Sequence, residues 1–511
     1  MPVSRRDFLR GAAASAAAWP LIVRAEIDSP AQRVFRHGVA SGDPLTDRVV
    51  LWTRATPPTS AGTPSPIEVR WQIATDERMA DVVDKGTAQA LSEHDFTVKV
   101  DAANLRPGRP YFYAFEAAGE RSPVGRTRTL PPSGVDRIRL ASVSCSNYPA
   151  GYFNVYRCLA NRTDLDAILH LGDYIYEFAN GRYGDGSDSG RLPLPAGEAV
   201  TLLDYRLRYA TYRSDIDLQE AHRLHPFIVV WDDHESANDA WSGGAENHGP
   251  KDGDWHVRMA AAYRAYTEWL PVRETGSGFH LYRGFQFGGL ADLLMLDTRS
   301  FRDKQASPKD VTTLMDARRT MLGAEQESWL FEELRQSQRA GTAWRLLGQQ
   351  VLFSPISPPG FPAFNTDVWD GYPAARERVF DFLAREKIRD VTVLTGDLHS
   401  SWALDVPRAW KGYDARTGSG SLAVELVTPA ISSPPFFADK VLKERASIIK
   451  AAAPHLKYLD GENRGYVLLE ITRDRLQADC YVVPSVTVRS AAESKTKSFV
   501  CERGSSHLAS T

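Results

Sequence analysis

The stretch Thr395-Gly396-Asp397-Leu398-His399 directly follows the apolar run Val391-Thr392-Val393-Leu394. That run has the length and the β-branched content of a buried strand, so an acid and a histidine are predicted just beyond a strand end. Three more apolar runs end in a similar way, at Cys145, at Asp173 and at Asp232-Asp233-His234-Glu235. Ligands of an open α/β sheet bind beyond the carboxyl ends of its strands, so one shared site is predicted.

The residues at these strand ends carry metal-binding chemistry. Taken singly, each has a commoner structural explanation: a Gly-Asp pair often makes a turn, a buried cysteine often packs in a core, and acids favour helix N-termini. Four strand ends that all carry carboxylate, imidazole, thiol or phenol groups are not explained in that way. The pattern indicates hydrolysis at a dinuclear metal site.

The composition excludes several classes of protein. With 511 residues, of which 43% are hydrophobic, the chain can bury a large core and form more than one domain. A formal net charge of -3 gives no general attraction to nucleic acid or anionic membranes. Beyond the N-terminus, no apolar run is long enough to span a bilayer. A soluble enzyme is therefore predicted.

The N-terminus has the pattern of an export signal. Arg5-Arg6 precedes the mild apolar segment 11–23, which ends just before Arg24-Ala25. This pattern predicts a twin-arginine signal peptide over residues 1–25, although an amphipathic helix is the alternative. The predicted partner is the twin-arginine translocase, which moves folded proteins, and the predicted location is the periplasm or the medium.

Four cysteines are too few for a disulfide scaffold in a chain of this size. Cys158 falls in a predicted helix over 152–161 and is expected in the core. Cys480 and Cys501 lie in strand-like segments near the C-terminus, where they either form a disulfide or stay separate. Cys145, at a strand end, is the candidate ligand for iron or zinc.

Residues 30–131 are predicted to form a small β-sandwich. Short alternating strands at 49–53, 67–73, 96–100 and 111–116 are separated by Pro and Gly turns. The segment 105–113 resembles the tyrosine corner of fibronectin type III-like domains. By composition, residues 130–134 form a linker.

Residues 135–511 are predicted to form a catalytic α/β domain. Helical segments are predicted at 255–270, 318–336 and 374–386, between strands. Two long irregular segments, 181–200 and 430–444, are typical of active-site walls or lids, with disorder as the alternative.

The chain resembles the PhoD-like alkaline phosphatase and phosphodiesterase family. The resemblance implies a four-layered βαβ metallophosphatase core with metal ions at its top, preceded by the fibronectin type III-like β-sandwich. The motifs that carry it are Phe35-Arg36-His37-Gly38-Val39-Ala40-Ser41-Gly42-Asp43-Pro44, Val50-Leu51-Trp52-Thr53-Arg54, Cys145, Gly172-Asp173 to Glu177, Trp231 to Glu235, Asp297-Thr298-Arg299, Trp369-Asp370-Gly371-Tyr372 and Gly396 to His399.

The resemblance also implies the metal ions. Fe3+ would be held by four ligands: Cys145, Asp173, Tyr176 and His399. Ca2+ would share Asp173 and add Asp397 and one donor from the loop after Trp231, for which Asp233 and Asn238 both remain open. Thiolate and phenolate favour ferric iron, whereas calcium prefers oxygen ligands. Zn2+ or Mn2+ is the alternative.

The predicted reaction is hydrolysis of phosphate monoesters, diesters or both by metal-activated water, with an alkaline pH optimum. His234 is predicted to contact the phosphoryl group or to protonate the leaving alkoxide, although it could merely brace its loop. Asp233 is the second predicted catalytic residue. Two alternatives are a phospholipase D-like phosphodiesterase of the same family and a non-catalytic binding protein with a relic site.

Overall fold

The computed structural model describes residues 34–57, 65–274, 280–357, 363, 365–438 and 440–511. The predicted signal peptide lies outside the described residues. The β-strands are β1 Val39–Gly42, β2 Val49–Arg54, β3 Ile67–Ala74, β4 Val82–Ala90, β5 Thr97–Ala102, β6 Pro110–Ala117, β7 Glu120–Arg121, β8 Gly125–Arg128, β9 Arg137–Val143, β10 Ala167–His170, β11 Pro226–Val229, β12 Arg283–Phe287, β13 Ala291–Met295, β14 Trp344–Gln349, β15 Val391–Thr395, β16 Ser401–Pro407, β17 Ser421–Val427, β18 Leu456–Asp460, β19 Arg464–Thr472, β20 Arg475–Val483, β21 Ser494–Glu502 and β22 Leu508–Ser510. The α-helices are α1 Asn154–Ala160, α2 Leu202–Tyr212, α3 Ile216–Leu224, α4 Trp255–Trp269, α5 Val311–Leu314, α6 Gly323–Ala340, α7 Pro373–Arg385 and α8 Lys440–Ala452.

Two large sheets organise the chain. The first has ten strands in the order β22-β21-β20-β19-β9-β10-β11-β1-β2-β5, and the second has seven in the order β12-β13-β14-β15-β17-β16-β18. In the first sheet β9, β10 and β11 are parallel, with Ile168 beside both Ala141 and Phe227. In the second sheet β13, β14, β15 and β17 are parallel. Parallel strands point their carboxyl ends to the same edge, which is the edge predicted to bear the site.

The two sheets pack face to face and helices cover their outer faces. Leu293 and Leu346 of the seven-stranded sheet share one buried core with Leu140 and Leu169 of the ten-stranded sheet, and α1 and α4 contribute to the same core. A second core joins α6 and α7 to the other face of β15. The predicted four-layered α/β core is therefore confirmed. Within the described part of the chain, no helix is both long and apolar enough to cross a membrane.

The N-terminal strands form a sandwich that shares one layer with the core. A five-stranded sheet of β3, β4, β6, β7 and β8 packs on β1, β2 and β5, with Val69 and Ile73 buried against Val49 and Leu51. Because β1 also pairs with β11, the second layer of the sandwich continues the ten-stranded sheet. The predicted tyrosine corner is confirmed, since the Tyr111 hydroxyl accepts a 2.7 Å hydrogen bond from the Arg106 backbone N–H.

Two of the three main helix predictions have nearly correct ends. The segments 255–270 and 374–386 match α4 and α7 to within one residue at each end. Helix α6 begins five residues later than predicted and ends at Gly341, which adopts a left-handed conformation with φ 73°. Helix α8 begins inside the segment predicted as irregular. Strand β4 was missed because its central residues are partly exposed and include a glycine.

A disulfide between Cys480 and Cys501 was one of two alternatives, and the structure excludes it. In the pairing of β20 with β21, Cys480 lies opposite Lys497, whereas Cys501 lies opposite Leu476. A four-residue offset separates the two cysteines by about 13 Å along the strands, beyond the reach of a disulfide. Both are buried free thiols. Cys158 lies in the core as predicted.

Glu268 joins the sandwich to the helical layer. Its buried carboxylate accepts two 2.7 Å hydrogen bonds from Arg206, whose guanidinium also donates to the Glu93 carbonyl oxygen of the sandwich at 2.6 Å. Burial alone would raise the pKa of Glu268, but interactions with His94 and Arg206 lower that pKa to about 2. A lowered pKa in the folded state means that the charged carboxylate stabilises the fold above about pH 4.5, and that this stabilisation is lost as pH falls toward 2.

Substituting Glu268→Gln is therefore expected to lower the free energy of unfolding by about 3 kcal/mol at pH 7, because it leaves Arg206 buried and unpaired. Urea unfolding, followed by tryptophan fluorescence, measures the difference in free energy of unfolding between wild type and variant. This difference should become smaller as the pH is lowered from 5 to 2. The matched control is Glu116→Gln, which breaks an exposed pair with Arg70 and should cost less than about 1 kcal/mol. Equal losses for the two variants at pH 7 would contradict this role.

Candidate active site

The site forms where the two sheets meet. Beyond β9, Ser144 makes an isolated parallel bridge to Ala430, which follows β17 of the other sheet. The Ser144 carbonyl oxygen accepts a 2.9 Å hydrogen bond from the Ile431 backbone N–H. The ends of β9, β10 and β11 are thereby brought next to the end of β15. The predicted shared site thus draws its residues from two sheets rather than one.

One cluster contains a thiol, a carboxylate, an imidazole and a phenol. Ligand atoms of Cys145, Asp173 and His399 lie within 4.8 Å of one another. The Tyr176 hydroxyl donates a 2.9 Å hydrogen bond to Asp173 Oδ2 and lies 3.1 Å from His399 Nε2. All four side chains are buried. The structure therefore brings together the four residues predicted to bind iron.

Unusual backbone conformations aim these side chains at one point. Cys145, Asp173, Asp397 and His399 all have positive φ values, between 50° and 62°. Such conformations cost non-glycine residues of order 1 kcal/mol or more each and cluster at functional sites. At Gly172, with φ 106°, a Cβ atom would lie 2.4 Å from the Cβ of Asp232, so only glycine lets these two strand ends approach.

Neighbouring groups hold the ligand side chains in place. Buried Glu235 accepts backbone hydrogen bonds from Asp173 at 3.1 Å and from Asp232 at 2.8 Å, which ties the end of β10 to the end of β11. His399 Nδ1 lies 3.0 Å from the Pro434 carbonyl oxygen and 2.9 Å from the Tyr183 hydroxyl. Such contacts at Nδ1 orient the ring so that Nε2 faces the cluster.

The protonation chemistry of this cluster fits a bound cation. Burial raises the pKa values of Cys145, Tyr176 and Asp173 well above their ordinary values, and burial lowers the pKa of His399 to about 3. Without a cation, the thiol and phenol would therefore stay protonated. Among the described residues, Asp173 Oδ1 is buried and has no hydrogen-bond partner. A metal ion would satisfy this oxygen and stabilise the thiolate and phenolate.

A second group of carboxylates lies beside the first. Ligand atoms of Asp173, Asp233 and His234 lie within 4.8 Å of one another, as do those of Asp232, Asp233 and Asp397. Asp233 accepts backbone hydrogen bonds from His234 and from Asp239, so both of its oxygens are engaged. The Asn238 side chain donates to Glu246 and lines the same cavity. Asp233 and Asn238 both remain candidates for the loop donor.

Arg299 lies at the centre of this carboxylate group. Its guanidinium bonds to Asp232, to Asp367 at 2.7 Å and to Asp397 at 3.0 Å, and its side chain is 1% exposed. Asp367 also pairs with Arg302 at 2.6 Å. Burial raises the pKa of Asp397 to about 7 despite the nearby Arg299. With Asp233, four carboxylates thus face two guanidinium groups, and a divalent cation would offset the excess negative charge.

His234 lies against the first cluster and its charge is stabilised by acids. Its Nδ1 is 2.8 Å from Glu177 Oε2, and its ring centroid is 4.2 Å from that of Tyr176. Burial alone would lower the pKa of His234, but Asp233, Glu177 and Asp173 raise it well above the ordinary value. In the site without a bound cation, the imidazole is therefore expected to favour its protonated form, which can donate hydrogen bonds to an anion.

A cavity of ≈ 670 Å³ opens over both groups. The predicted site residues on its surface are Asp173, Asp233, His234, Asn238, Asp397 and His399. Phe178, Tyr183 and Phe436 contribute aromatic walls, and Arg182 and Arg445 contribute positive charge. Residues from the irregular segments 181–200 and 430–444 are among these, as expected for active-site walls.

Several functional residues were given no role by the sequence alone. Glu177, Asp232 and Arg299 lie in motifs that were recognised, and Arg299 follows the apolar strand β13, so a strand-end signal existed for it. Tyr183 and Asp367 lie in irregular segments, which carry no periodic signal that could have identified them.

The layered core and the position of its site define an α/β enzyme of the metallophosphatase fold. Residues 140–480 match the family described as PhoD-like phosphatase, and residues 22–131 match the N-terminal domain of that family. The chain is 39% identical over 498 residues to alkaline phosphatase D of Bacillus subtilis (strain 168), covering 93% of this chain and 82% of that protein. A solved structure described as the structure of PhoD superposes with a TM-score of 0.84 at 37% identity, over 94% of this chain and 93% of that one. The chain therefore belongs to the PhoD-like phosphatase family and is a phosphoric ester hydrolase.

Replacing Arg299 should destabilise the fold as well as the site. In Arg299→Gln the buried carboxylates of Asp232, Asp367 and Asp397 lose their shared guanidinium, and we expect the free energy of unfolding to fall by about 3–5 kcal/mol. The measurement is urea unfolding in the presence of a chelator, so that metal loss does not contribute. Arg408→Gln is the control, because its pairs with Glu377 and Asp381 are about half exposed. A loss as small as that of the control would refute the central role of Arg299.

Proposed function

We propose that this enzyme hydrolyses phosphate monoesters and diesters outside the cytoplasm, at a dinuclear centre of Fe3+ and Ca2+, with an alkaline pH optimum. The observation that carries the proposal is the position of Asp173, whose carboxylate belongs both to the cluster with Cys145 and His399 and to the group with Asp233 and His234. A carboxylate shared in this way is suited to bridging two cations.

The two donor sets differ in chemistry and so favour different ions. Cys145, Tyr176 and His399 with Asp173 offer sulfur, phenol and imidazole, which suit iron. Asp173, Asp397 and either Asp233 or Asn238 offer oxygen, which suits calcium. When bound, such ions would stabilise charge on the phosphoryl oxygens and acidify water, calcium less so than zinc, which favours an alkaline optimum.

His234 is the side chain best placed to act on the substrate. It lines the cavity beside Asp173, and Glu177 fixes its ring through Nδ1, so Nε2 is left for the substrate. As an imidazolium it would donate a hydrogen bond to a phosphoryl oxygen or a proton to the leaving alkoxide. Asp233 supports this role because its charge helps to raise the pKa of His234.

The cavity has room for more than a phosphate group. Its ≈ 670 Å³ lies within the range of about 300–1,000 Å³ that is usual for small-molecule sites, so a second ester substituent can be accommodated. Activity on bis-p-nitrophenyl phosphate beside p-nitrophenyl phosphate tests this point. Phosphatidylcholine in the same panel tests the phospholipase D-like alternative, which predicts hydrolysis of this lipid.

Substituting Asp173→Asn should remove metal and activity together. We expect wild-type protein to contain iron and calcium by elemental analysis and to absorb visible light through a phenolate-to-iron transition. The variant should lose both ions and at least about a thousandfold of kcat/KM for p-nitrophenyl phosphate, because it removes the bridging carboxylate.

The control for this substitution is Asp381→Asn, on the exposed surface of α7, which should keep both metal and activity. Circular dichroism checks that each variant is folded. Full metal content and wild-type turnover in Asp173→Asn would overturn the assignment of the site. If the wild-type enzyme were colourless, free of iron and fully active, Fe3+ would be ruled out and Zn2+ or Mn2+ would remain as the alternative.

Export by the twin-arginine route rests on residues 1–25. Replacing Arg5 and Arg6 by lysine keeps the charge but removes the paired arginines of the signal. We expect the wild-type chain to be found in the periplasm or medium, cleaved near Ala25, and the double variant to stay in the cytoplasm with its leader. N-terminal sequencing and cell fractionation measure both. Export of the double variant at the wild-type level would refute the assignment.

A further inference from the structure

The acidic and basic residues that line the cavity differ in exposure. Carboxylates of Asp173, Asp233, Asp239 and Asp397 line it together with the candidate catalytic His234, whereas its positive side chains, Arg182 and Arg445, are exposed. Phe178, Leu398, Pro434 and Phe436 add apolar surface to the same walls. A substrate that matches this cavity therefore has a reactive phosphate, an apolar or ring-shaped middle and a negatively charged end.

The two arginines are free to bind an anion. Throughout the described part of the chain, neither the Arg182 nor the Arg445 guanidinium makes an ion pair or a hydrogen bond with another residue. Most of the other arginines near the site are engaged, as Arg299 and Arg302 show. Guanidinium groups without a protein partner at a cavity mouth suit bidentate binding of carboxylate or phosphate.

Both arginines are carried by anchored backbone. Arg182 precedes Tyr183, whose hydroxyl lies 2.9 Å from His399 Nδ1 and whose carbonyl oxygen accepts a 2.7 Å hydrogen bond from Asn147. Arg445 lies on α8, which is held to the core by buried Ala446 and Ile449. The backbone that carries each arginine is thus anchored, next to Arg182 by contacts of Tyr183 and next to Arg445 by packing of α8 on the core.

We propose that Arg182 and Arg445 form a subsite for a second anionic group, so that the enzyme prefers phosphate esters whose leaving group ends in a carboxylate or a further phosphate. This inference rests on the proposed phosphatase function and names a substrate class within it. The arginines bind the far end of the leaving group and leave the reacting phosphate to the deeper residues.

The test compares two esters that differ only in the second anion, phenyl phosphate and 4-carboxyphenyl phosphate. The quantity measured is the ratio of kcat/KM for the carboxylated ester to kcat/KM for the plain ester. Arg182→Gln and Arg445→Gln should each lower this ratio about two- to fivefold, as expected for an exposed charge pair, and the double variant about tenfold. Because the ratio is compared between variants, the different leaving-group reactivities of the two phenols cancel.

Lys450→Gln is the matched control, since Lys450 is also an exposed cation on α8 but does not line the cavity. For this variant, the ratio of kcat/KM for the carboxylated ester to kcat/KM for the plain ester should equal the wild-type ratio. Arg445→Glu, which places a negative charge at the same position, should lower the ratio further than Arg445→Gln. Raising the ionic strength should lower the wild-type ratio toward that of the double variant.

Wild-type turnover of phenyl phosphate tests the proposed function separately from this inference. If the wild-type enzyme is active and the double variant keeps the wild-type ratio of kcat/KM values for the two esters, the proposed subsite is wrong. An equal loss on both esters leaves the ratio unchanged and overturns it as well, because the arginines would then act on the reacting phosphate or on the fold.

Discussion

The bridge between Ser144 and Ala430 is the contact on which the site depends. It joins the extension of β9 to the extension of β17, and these strands belong to different sheets. The sheets of a layered core pack through side chains about 10 Å apart, so backbone pairing between them is possible only where the strands have ended. This junction brings Cys145 and Asp173 from one sheet within reach of Asp397 and His399 from the other.

Charge balance is the second constraint. The junction buries more carboxylates than cationic side chains, and Arg299 offsets only part of that charge. Burial of unbalanced charge is tolerated when function requires it and surrounding structure holds the groups in place. Here Glu235 and the residues with left-handed backbone around Asp173 hold the carboxylates in place. The buried negative charge lowers stability locally but makes the site suitable for cations.

In the cavity above the junction, different parts of the chain supply the reactive groups and the walls that contact the substrate. The acidic and imidazole groups are buried or half-buried, and the aromatic walls and the two exposed arginines come from segments outside the sheets. The sheet ends thus define the chemistry, while the irregular segment after Glu177 and helix α8 define which leaving group is accepted. Substitutions in these segments are expected to change specificity without disturbing the strands, because the segments lie outside both large sheets.

The sequence by itself determined the local features: the buried strands, the residues at their ends, the helices α4 and α7, and a tyrosine corner within residues 105–113. These depend on apolar periodicity and on contacts between near neighbours, which a linear pattern records. Only the tertiary structure decided that the strand ends belong to two sheets, that the sandwich shares a layer with the core, and that Cys480 and Cys501 lie too far apart to bond. It alone also placed Arg299 among its carboxylates and Tyr183 beside His399. Such contacts join residues tens to hundreds of positions apart, and their partners are selected by packing and charge balance in three dimensions rather than by any local period.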